Sequence, residues 1–270
     1  MDVAGFALLT GGASGIGRAC ALTFVRDGAA GVALLDHDEA GLLSAKAEIE
    51  SISNKTDSKC RVETFSLSVT DEEAVNNVVA KVAELFGRLD YVVNAAGIAM
   101  KHPGGAAFAR TEDWRRVLDV NLTGTFFVLR AATRVMLQQD PILSNIDGRS
   151  LQRGAIVNFS SIQGLVGIEL STAYTTSKHG VLGLTRTASD DYARKGVRIS
   201  AICPGYTETP MTTRDPAVKE AMDARVHSAV SMQRMGTPQE IADAVIFSCG
   251  GRSPFIAGTA LSVDGGYTAR

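Results

Sequence analysis

The sequence predicts an α/β protein: a doubly wound parallel sheet of about seven strands with helices on both faces. Three observations carry this. Short apolar runs alternate with helix-length amphipathic segments from Phe6 to Val263, the pattern of successive βα units. The first run ends in a glycine-rich turn that opens straight into a helix. The 270 residues, 45% hydrophobic and 21% charged, supply enough apolar material for one large core, and no linker divides them, so residues 1–270 read as a single domain.

Phe6 to Thr10 is the first strand, Gly11 to Gly17 the turn, and Arg18 to Arg26 the first helix. Gly31 to Leu35 follows as a strand ending at Asp36, then a helix over Ala40 to Ser53, a strand over Arg61 to Leu67, and a helix over Asp71 to Phe86 capped from Thr70 or Asp71. Leu89 to Val93 is a buried strand that runs into the small-residue turn Asn94-Ala-Ala-Gly97. Thr111 to Gln138 reads as one long helix containing Asn121, which by position alone faces solvent. Residues 140–153 carry Pro, Asn, Asp and Gly without periodicity, so they predict a long surface loop and the most disordered part of the chain. Gly154 to Phe159 is a central strand ending at Ser160-Ser161, Gln163 to Thr172 a loop, and Thr172 to Arg194 a helix bearing Tyr174 and Lys178. A strand over Val197 to Ile202 closes at Pro204-Gly205. Residues 206–233 mix turn and helix signals and suit a substrate lid. Thr237-Pro238 starts a last helix, and Ala260 to Val263 is the last strand.

Charge narrows the ligand. With 27 basic and 29 acidic residues mixed along the chain and a net charge of −2, there is no basic face for nucleic acid or an anionic membrane, which leaves a small molecule. Cys20, Cys60, Cys203 and Cys249 form no C-x-x-C pair, and His37, His102, His179 and His227 show no ligand spacing, so no metal is expected. Unpaired thiols, no apolar run near 18 residues and no basic leader before Phe6 predict a cytoplasmic protein.

The strand, glycine turn and helix around Gly11, Ser14, Gly15, Ile16 and Gly17 are what a dinucleotide pyrophosphate needs: close backbone approach and the positive end of a helix dipole. Nineteen residues past Gly17, Asp36 stands where a carboxylate accepts hydrogen bonds from ribose hydroxyls and repels a 2′-phosphate, which favours NAD over NADP. A helix-capping role is the alternative for Asp36. Tyr174 and Lys178, four apart, share one helical face. Their spacing alone fits an ordinary surface pair. It also suits proton transfer, because a nearby ammonium favours phenolate and lowers a phenol pKa.

Taken together, Thr10-Gly-Gly-Ala-Ser-Gly-Ile-Gly17, Asn94-Ala-Ala-Gly97, Asn121, Ser161 thirteen residues before Tyr174, Lys178, and Pro204-Gly205 with Thr207 resemble the short-chain dehydrogenase/reductase family along essentially the whole chain. The resemblance implies a Rossmann-like sheet and a catalytic set of Asn121, Ser161, Tyr174 and Lys178. In it, Tyr174 exchanges a proton with the substrate oxygen, Ser161 hydrogen-bonds that oxygen, Lys178 lowers the Tyr174 pKa and binds the nicotinamide ribose, and Asn121 holds a water that links Lys178 to solvent. It further implies cofactor contacts at Gly11, Ser14, Gly15, Ile16, Gly17, Asp36, Asn94, Ala95, Gly97, Tyr174, Lys178, Pro204, Gly205 and Thr207, and a homo-oligomer built through the two long helices.

One departure stands out. Where the family usually places an Asp after the third strand to contact adenine, this chain has Ser68-Val69, a shorter and uncharged contact. Residues 98–108, 163–172 and 206–232, rich in Gly, Ala, Leu, Val and Met, suit a fairly apolar secondary alcohol or ketone. An NADPH-dependent reductase of 3-oxoacyl groups or secondary metabolites, and a nucleotide-sensing protein without catalysis, are the competing readings.

Overall fold

The computed structural model describes residues 3–53, 60–144 and 146–269. Of the positions read above, Met1, Asp2 and Asn145 lie outside the described residues.

Seven parallel strands form one sheet in the order β3-β2-β1-β4-β5-β6-β7. They are β1 (Phe6–Thr10), β2 (Gly31–Asp36), β3 (Arg61–Ser66), β4 (Tyr91–Asn94), β5 (Gly154–Phe159), β6 (Val197–Pro204) and β7 (Ala260–Val263). Between them run α1 (Gly15–Arg26), α2 (Glu39–Ser53), α3 (Glu72–Phe86), α4 (Thr111–Leu118), α5 (Thr125–Met136), α6 (Thr172–Tyr192), α7 (Pro210–Thr213), α8 (Pro216–Ala229) and α9 (Pro238–Cys249).

Strand alternation divides the core. Ala7, Leu9, Val32, Leu34, Tyr91 and Val93 meet α1, α2 and α9 on one face, through residues such as Phe24, Ile49 and Val245. The residues between them, Leu8, Ala33, Leu35 and Val92, meet α3, α5 and α6 on the other, through Val79, Val128 and Ala188. Strands apolar on both sides are what a sheet sandwiched between helices requires. Chain order reverses between β1 and β4, so the carboxyl ends of these neighbours open a crevice there, the place where such sheets receive ligands.

Two expectations are corrected. The segment expected as one helix over Thr111 to Gln138 is broken by a π-helical turn, Asp119–Gly124, that joins α4 to α5. Of the expected disordered loop, residues 140–144 and 146–153 are folded back on themselves. Ile142 N–H donates to the Gln152 carbonyl and Leu151 N–H to the Ile142 carbonyl, and Leu143 pairs antiparallel with Ser150. Gln152 is buried and donates through Nε2 to the Cys249 carbonyl, while Arg149 donates to that of Gly251. The loop is thereby tied to the end of α9. The same helix end is held by Arg198 of β6, which is buried and donates to the carbonyls of Ser248, Cys249, Gly250 and Ile256. Capping at the other end is as the sequence implies, with Thr237 and Glu240 bonding each other's backbone.

Among the described residues, no helix is long and apolar enough to cross a membrane, and no cluster of three His, Cys, Asp or Glu side chains could hold a metal ion.

Candidate active site

A cleft of about 1620 Å³ opens over the carboxyl ends of the strands. The glycine turn forms one wall. Gly11 sits at φ +68°, and a Cβ there would come within 2.9 Å of the Ala95 carbonyl carbon and the Ala96 nitrogen. At Gly17, the third glycine, a Cβ would collide with the Gly11 carbonyl oxygen, so turn and helix can close on each other only without a side chain. Ser14 precedes α1 without a side-chain cap, and the first turn carries no acid. The helix N-terminus therefore faces the cleft with unneutralised N–H groups, the arrangement that receives an anion.

Asp36 ends β2 at the cleft edge. Its Oδ2 accepts from Ala13 N–H and its Oδ1 from Asp38 N–H, both at 3.1 Å. The capping alternative goes to a different residue: Asp38 Oδ1 accepts from Gly41 N–H at the start of α2. His37 Nδ1 lies 3.0 Å from Asp36 Oδ1. Ser68, whose hydroxyl is 2.8 Å from that of Thr70, lines the cleft beside buried Val69.

The far end is built on β5 and α6. Ser161 caps a short 3-10 turn, Ile162–Gly164, and its Oγ accepts from the Gln163 N–H at 3.1 Å. That leaves the hydroxyl hydrogen of Ser161 free to point elsewhere. Gln163 is held in turn by the Thr175 hydroxyl, which donates to its Oε1 at 2.9 Å. Helical spacing brings Tyr174 and Lys178 to one face, with the Lys178 Nζ 5.5 Å from the phenol ring centroid. The amine donates to the Phe159 carbonyl at 2.8 Å and is only 4% exposed. Burial pulls its pKa down from the ordinary lysine range to about 8. Burial also raises the Tyr174 phenol, with the Ser161 hydroxyl working against it. The direction is opposite to the one expected from the lysine pairing, because desolvation of a phenolate outweighs its stabilisation here.

Asn121, expected at a solvent-facing position, is fully buried in the π-helical turn. Its Oδ1 accepts from Ile98 N–H at 2.8 Å and its Nδ2 donates to the Ile98 carbonyl at 2.9 Å and to Ser177 Oγ at 3.0 Å. Ser177 donates on to the Tyr174 carbonyl. A Cβ on Gly97 would stand 3.3 Å from Asn121 Oδ1 and 3.6 Å from Lys178 Nζ, so these two polar atoms lie just behind the glycine that lines the cleft.

Most of the sequence-derived residues meet in this cleft: Gly11, Ser14, Gly15, Ile16, Gly17, Asp36, Ser68, Val69, Ala95, Gly97, Ser161, Tyr174, Lys178, Pro204, Gly205 and Thr207 all line it. Two do not. Asn94 is buried between strands, its Nδ2 donating to Asn158 Oδ1 at 2.9 Å, because side chains at matched positions on β4 and β5 face one another. Asn121 acts from beneath the surface. Sequence reasoning missed Ser177 and Thr175, whose neighbourhood to Asn121 and Gln163 depends on tertiary placement, and Thr10, whose Oγ1 accepts from Ala96 N–H. The segment expected as a lid supplies Met211, Arg214, Val218 and Met222 as one wall, and Val226 of α8 joins Val230 and Met235, which follow the helix, in an apolar cluster against Tyr206 and Tyr267.

Fold and cleft together are those of a protein built to hold a dinucleotide. Comparison with known proteins agrees: a family model described as "Enoyl-(Acyl carrier protein) reductase" matches residues 11–268. The chain is 37% identical to the short-chain dehydrogenase fogB of Aspergillus ruber over 99% of this chain and 98% of that one. It is 35% identical to the 3-oxoacyl-[acyl-carrier-protein] reductase FabG of Thermotoga maritima, over 96% of each. Among solved structures, levodione reductase superposes with a TM-score of 0.86 at 31% identity, covering 100% of this chain and 99% of the other. The chain belongs to the short-chain dehydrogenase/reductase family, whose members use a nicotinamide cofactor.

Proposed function

We propose that this protein transfers a hydride between NAD and a small, fairly apolar secondary alcohol or ketone. The observation that supports it is the convergence of Ser161, Tyr174 and Lys178 on the cleft that also holds the glycine turn and Asp36.

The residues present fit the cofactor. The uncapped start of α1, and glycines that admit no Cβ, would hold the pyrophosphate, and Asp36, already aimed by two backbone donors, would accept from the adenosine ribose. Ser68, Val69, Ala95, Gly97, Pro204, Gly205 and Thr207 would complete the lining. When bound, the nicotinamide supplies the redox chemistry. The chain supplies the rest. Ser161, with its oxygen taken by Gln163 N–H, donates its hydrogen to the substrate oxygen and stabilises charge that develops there. Tyr174 gives or takes the proton at its phenolic oxygen. Lys178, anchored on the Phe159 carbonyl, would reach the nicotinamide ribose. Asn121 fixes the backbone at Ile98 beneath the cleft, the position from which it would hold a water beside Lys178.

Asp36 supports NAD over NADP by charge. Met211, Val218, Met222, Ile162 and Ile168 give the substrate wall its apolar character. A second reading, NADPH-dependent reduction of a 3-oxoacyl group, draws on the likeness to FabG, a 3-oxoacyl-[acyl-carrier-protein] reductase. Phe126, part-exposed on α5, fits association of copies through that helix. The test is turnover of a panel of secondary alcohols, simple ketones and 3-oxoacyl esters with NAD(H) and NADP(H), for wild type and Tyr174→Phe. The proposal requires turnover that depends on Tyr174 and prefers NAD(H). Binding of NAD without turnover of any compound would leave a nucleotide-sensing protein instead.

A further inference from the structure

Where the chain after β4 meets the chain before α6, the His102 N–H donates to the Leu170 carbonyl at 2.7 Å. Both partners adjoin residues that line the cleft, Met100 and Lys101 on one side and Ile168 and Ser171 on the other. This hydrogen bond is the seam of a wall that would face the substrate.

Two features make the shut seam costly. His102 is buried, only 3% exposed, and its Nε2 has no hydrogen-bond partner among the described residues. A ring nitrogen removed from water and given no partner disfavours the arrangement that buries it. Across the seam, Leu170 holds φ at +61°, a left-handed backbone that a side chain of this kind adopts only under constraint. Opening relieves both, since water then reaches the imidazole and Leu170 can return to an extended backbone. A pivot lies beside it. Gly104 and Gly105, at φ +83° and +82°, form a turn in which the Gly105 N–H donates to the His102 carbonyl at 2.9 Å. Successive glycines let the backbone swing with little steric resistance. The opposing influence is any ligand that touches Met100 and Ile168 together, because those contacts exist at once only when the seam is shut.

We propose that His102 is a positioning residue that makes this seam a gate of the cleft. Shut, the seam shapes the substrate wall. The unpaired Nε2 and the strained Leu170 keep the shut form close in free energy to an open one, so substrate closes the gate and product leaves through it. The role in product release rests on the reading of this protein as an alcohol or ketone oxidoreductase, whereas the poise of the seam does not.

Amide hydrogen exchange and steady-state kinetics on the full chain test it, with His102→Phe, His102→Gln and Leu170→Asn. Phenylalanine keeps a flat ring without the buried nitrogen, glutamine keeps a polar head, and asparagine tolerates the left-handed region. Protection of the amide at position 102, read without any substrate, should rise about tenfold in His102→Phe, the scale of a relieved buried polar group. It should rise about threefold or more in Leu170→Asn as the backbone strain is removed, while His102→Gln should stay close to wild type. In turnover, His102→Phe should lower kcat and KM together by about three- to tenfold and hold kcat/KM within about twofold, as slower release requires and damage to the fold does not. Protection that fails to rise in both His102→Phe and Leu170→Asn overturns the gate. Raised protection with kcat unmoved overturns its role in release. Absence of turnover with every alcohol and ketone sinks the proposed reaction instead, and the exchange comparison then decides the seam by itself.

Discussion

The Lys178 amine donates to the carbonyl of Phe159, the last residue of β5, at 2.8 Å. One hydrogen bond does not repay the loss of hydration, and burial holds the amine at about 8. The linkage sign is that of a base with a depressed folded pKa: the unfolded chain binds more protons between pH 8 and 10.5, so the cost is complete below about pH 8 and vanishes above the unfolded value. Lys178→Met should therefore raise stability at pH 7, by about 1 to 3 kcal/mol, and give progressively less at pH 9 and 10. Chemical denaturation at the three pH values measures this, while turnover should fall sharply. A variant that is less stable at pH 7 would show that the hydrogen bond outweighs the buried charge.

Tyr174 and Ser161 predict a paired effect. Since burial raises the phenol and the Ser161 hydroxyl opposes that, oxidation of an alcohol should increase with pH as the phenol loses its proton. Ser161→Ala should lower kcat by about 10² to 10³ and move the rising limb to higher pH. A lowered rate with an unmoved limb would confine Ser161 to the substrate oxygen.

Gly17→Ala places a methyl against the Gly11 carbonyl oxygen, which belongs to backbone that cannot swing aside. The expected result is a loss of about 1 to 3 kcal/mol together with at least tenfold weaker NAD binding. Melting and calorimetry report the two separately. Unchanged cofactor affinity would remove the turn from the binding site.

Arg198 is buried and, among the described residues, pairs with no carboxylate, its charge answered by the carbonyls at the end of α9. A helix C-terminus is the negative end of its dipole, so the pairing is favourable in place of an acid. Arg198→Met should cost about 2 kcal/mol or more, read by denaturant unfolding, with NAD affinity retained because these carbonyls lie outside the cleft. A near-neutral result would mean that water replaces the guanidinium.

The sheet was legible because its strands are buried on both sides: runs such as Val32 to Leu35 and Ile199 to Cys203 carry no polar interruption beyond Ser200. The glycine turn, Asp36, Ser161, Tyr174 and Lys178 were legible because each has a fixed distance from a strand end or a helical partner. The burial of Asn121 was not, since nothing in the local pattern of Thr111 to Gln138 announces a π-helical turn, and its partner Ile98 is 23 residues away. The same holds for residues 140–153, whose polar composition conceals anchors at Gln152 and Arg149 that exist only once α9 is beside them. The direction of the Tyr174 shift needed the tertiary surroundings of its phenol, which spacing does not encode.

The turn at Asp119–Gly124 can be viewed as a question of phase. A π-helical turn is an α-helix carrying a surplus residue, and each residue of an α-helix advances about 100°. Deleting one residue there would give a smoother rod with a complete ladder, yet α4 would rotate by that angle relative to α5. Asn121 beneath Ile98, Val117 in the core and the α4 side chains at the cleft could not all keep their bearings. The irregularity is thus the spacer that lets two straight segments face different tasks, and regularising it would trade the asparagine's aim for a better helix.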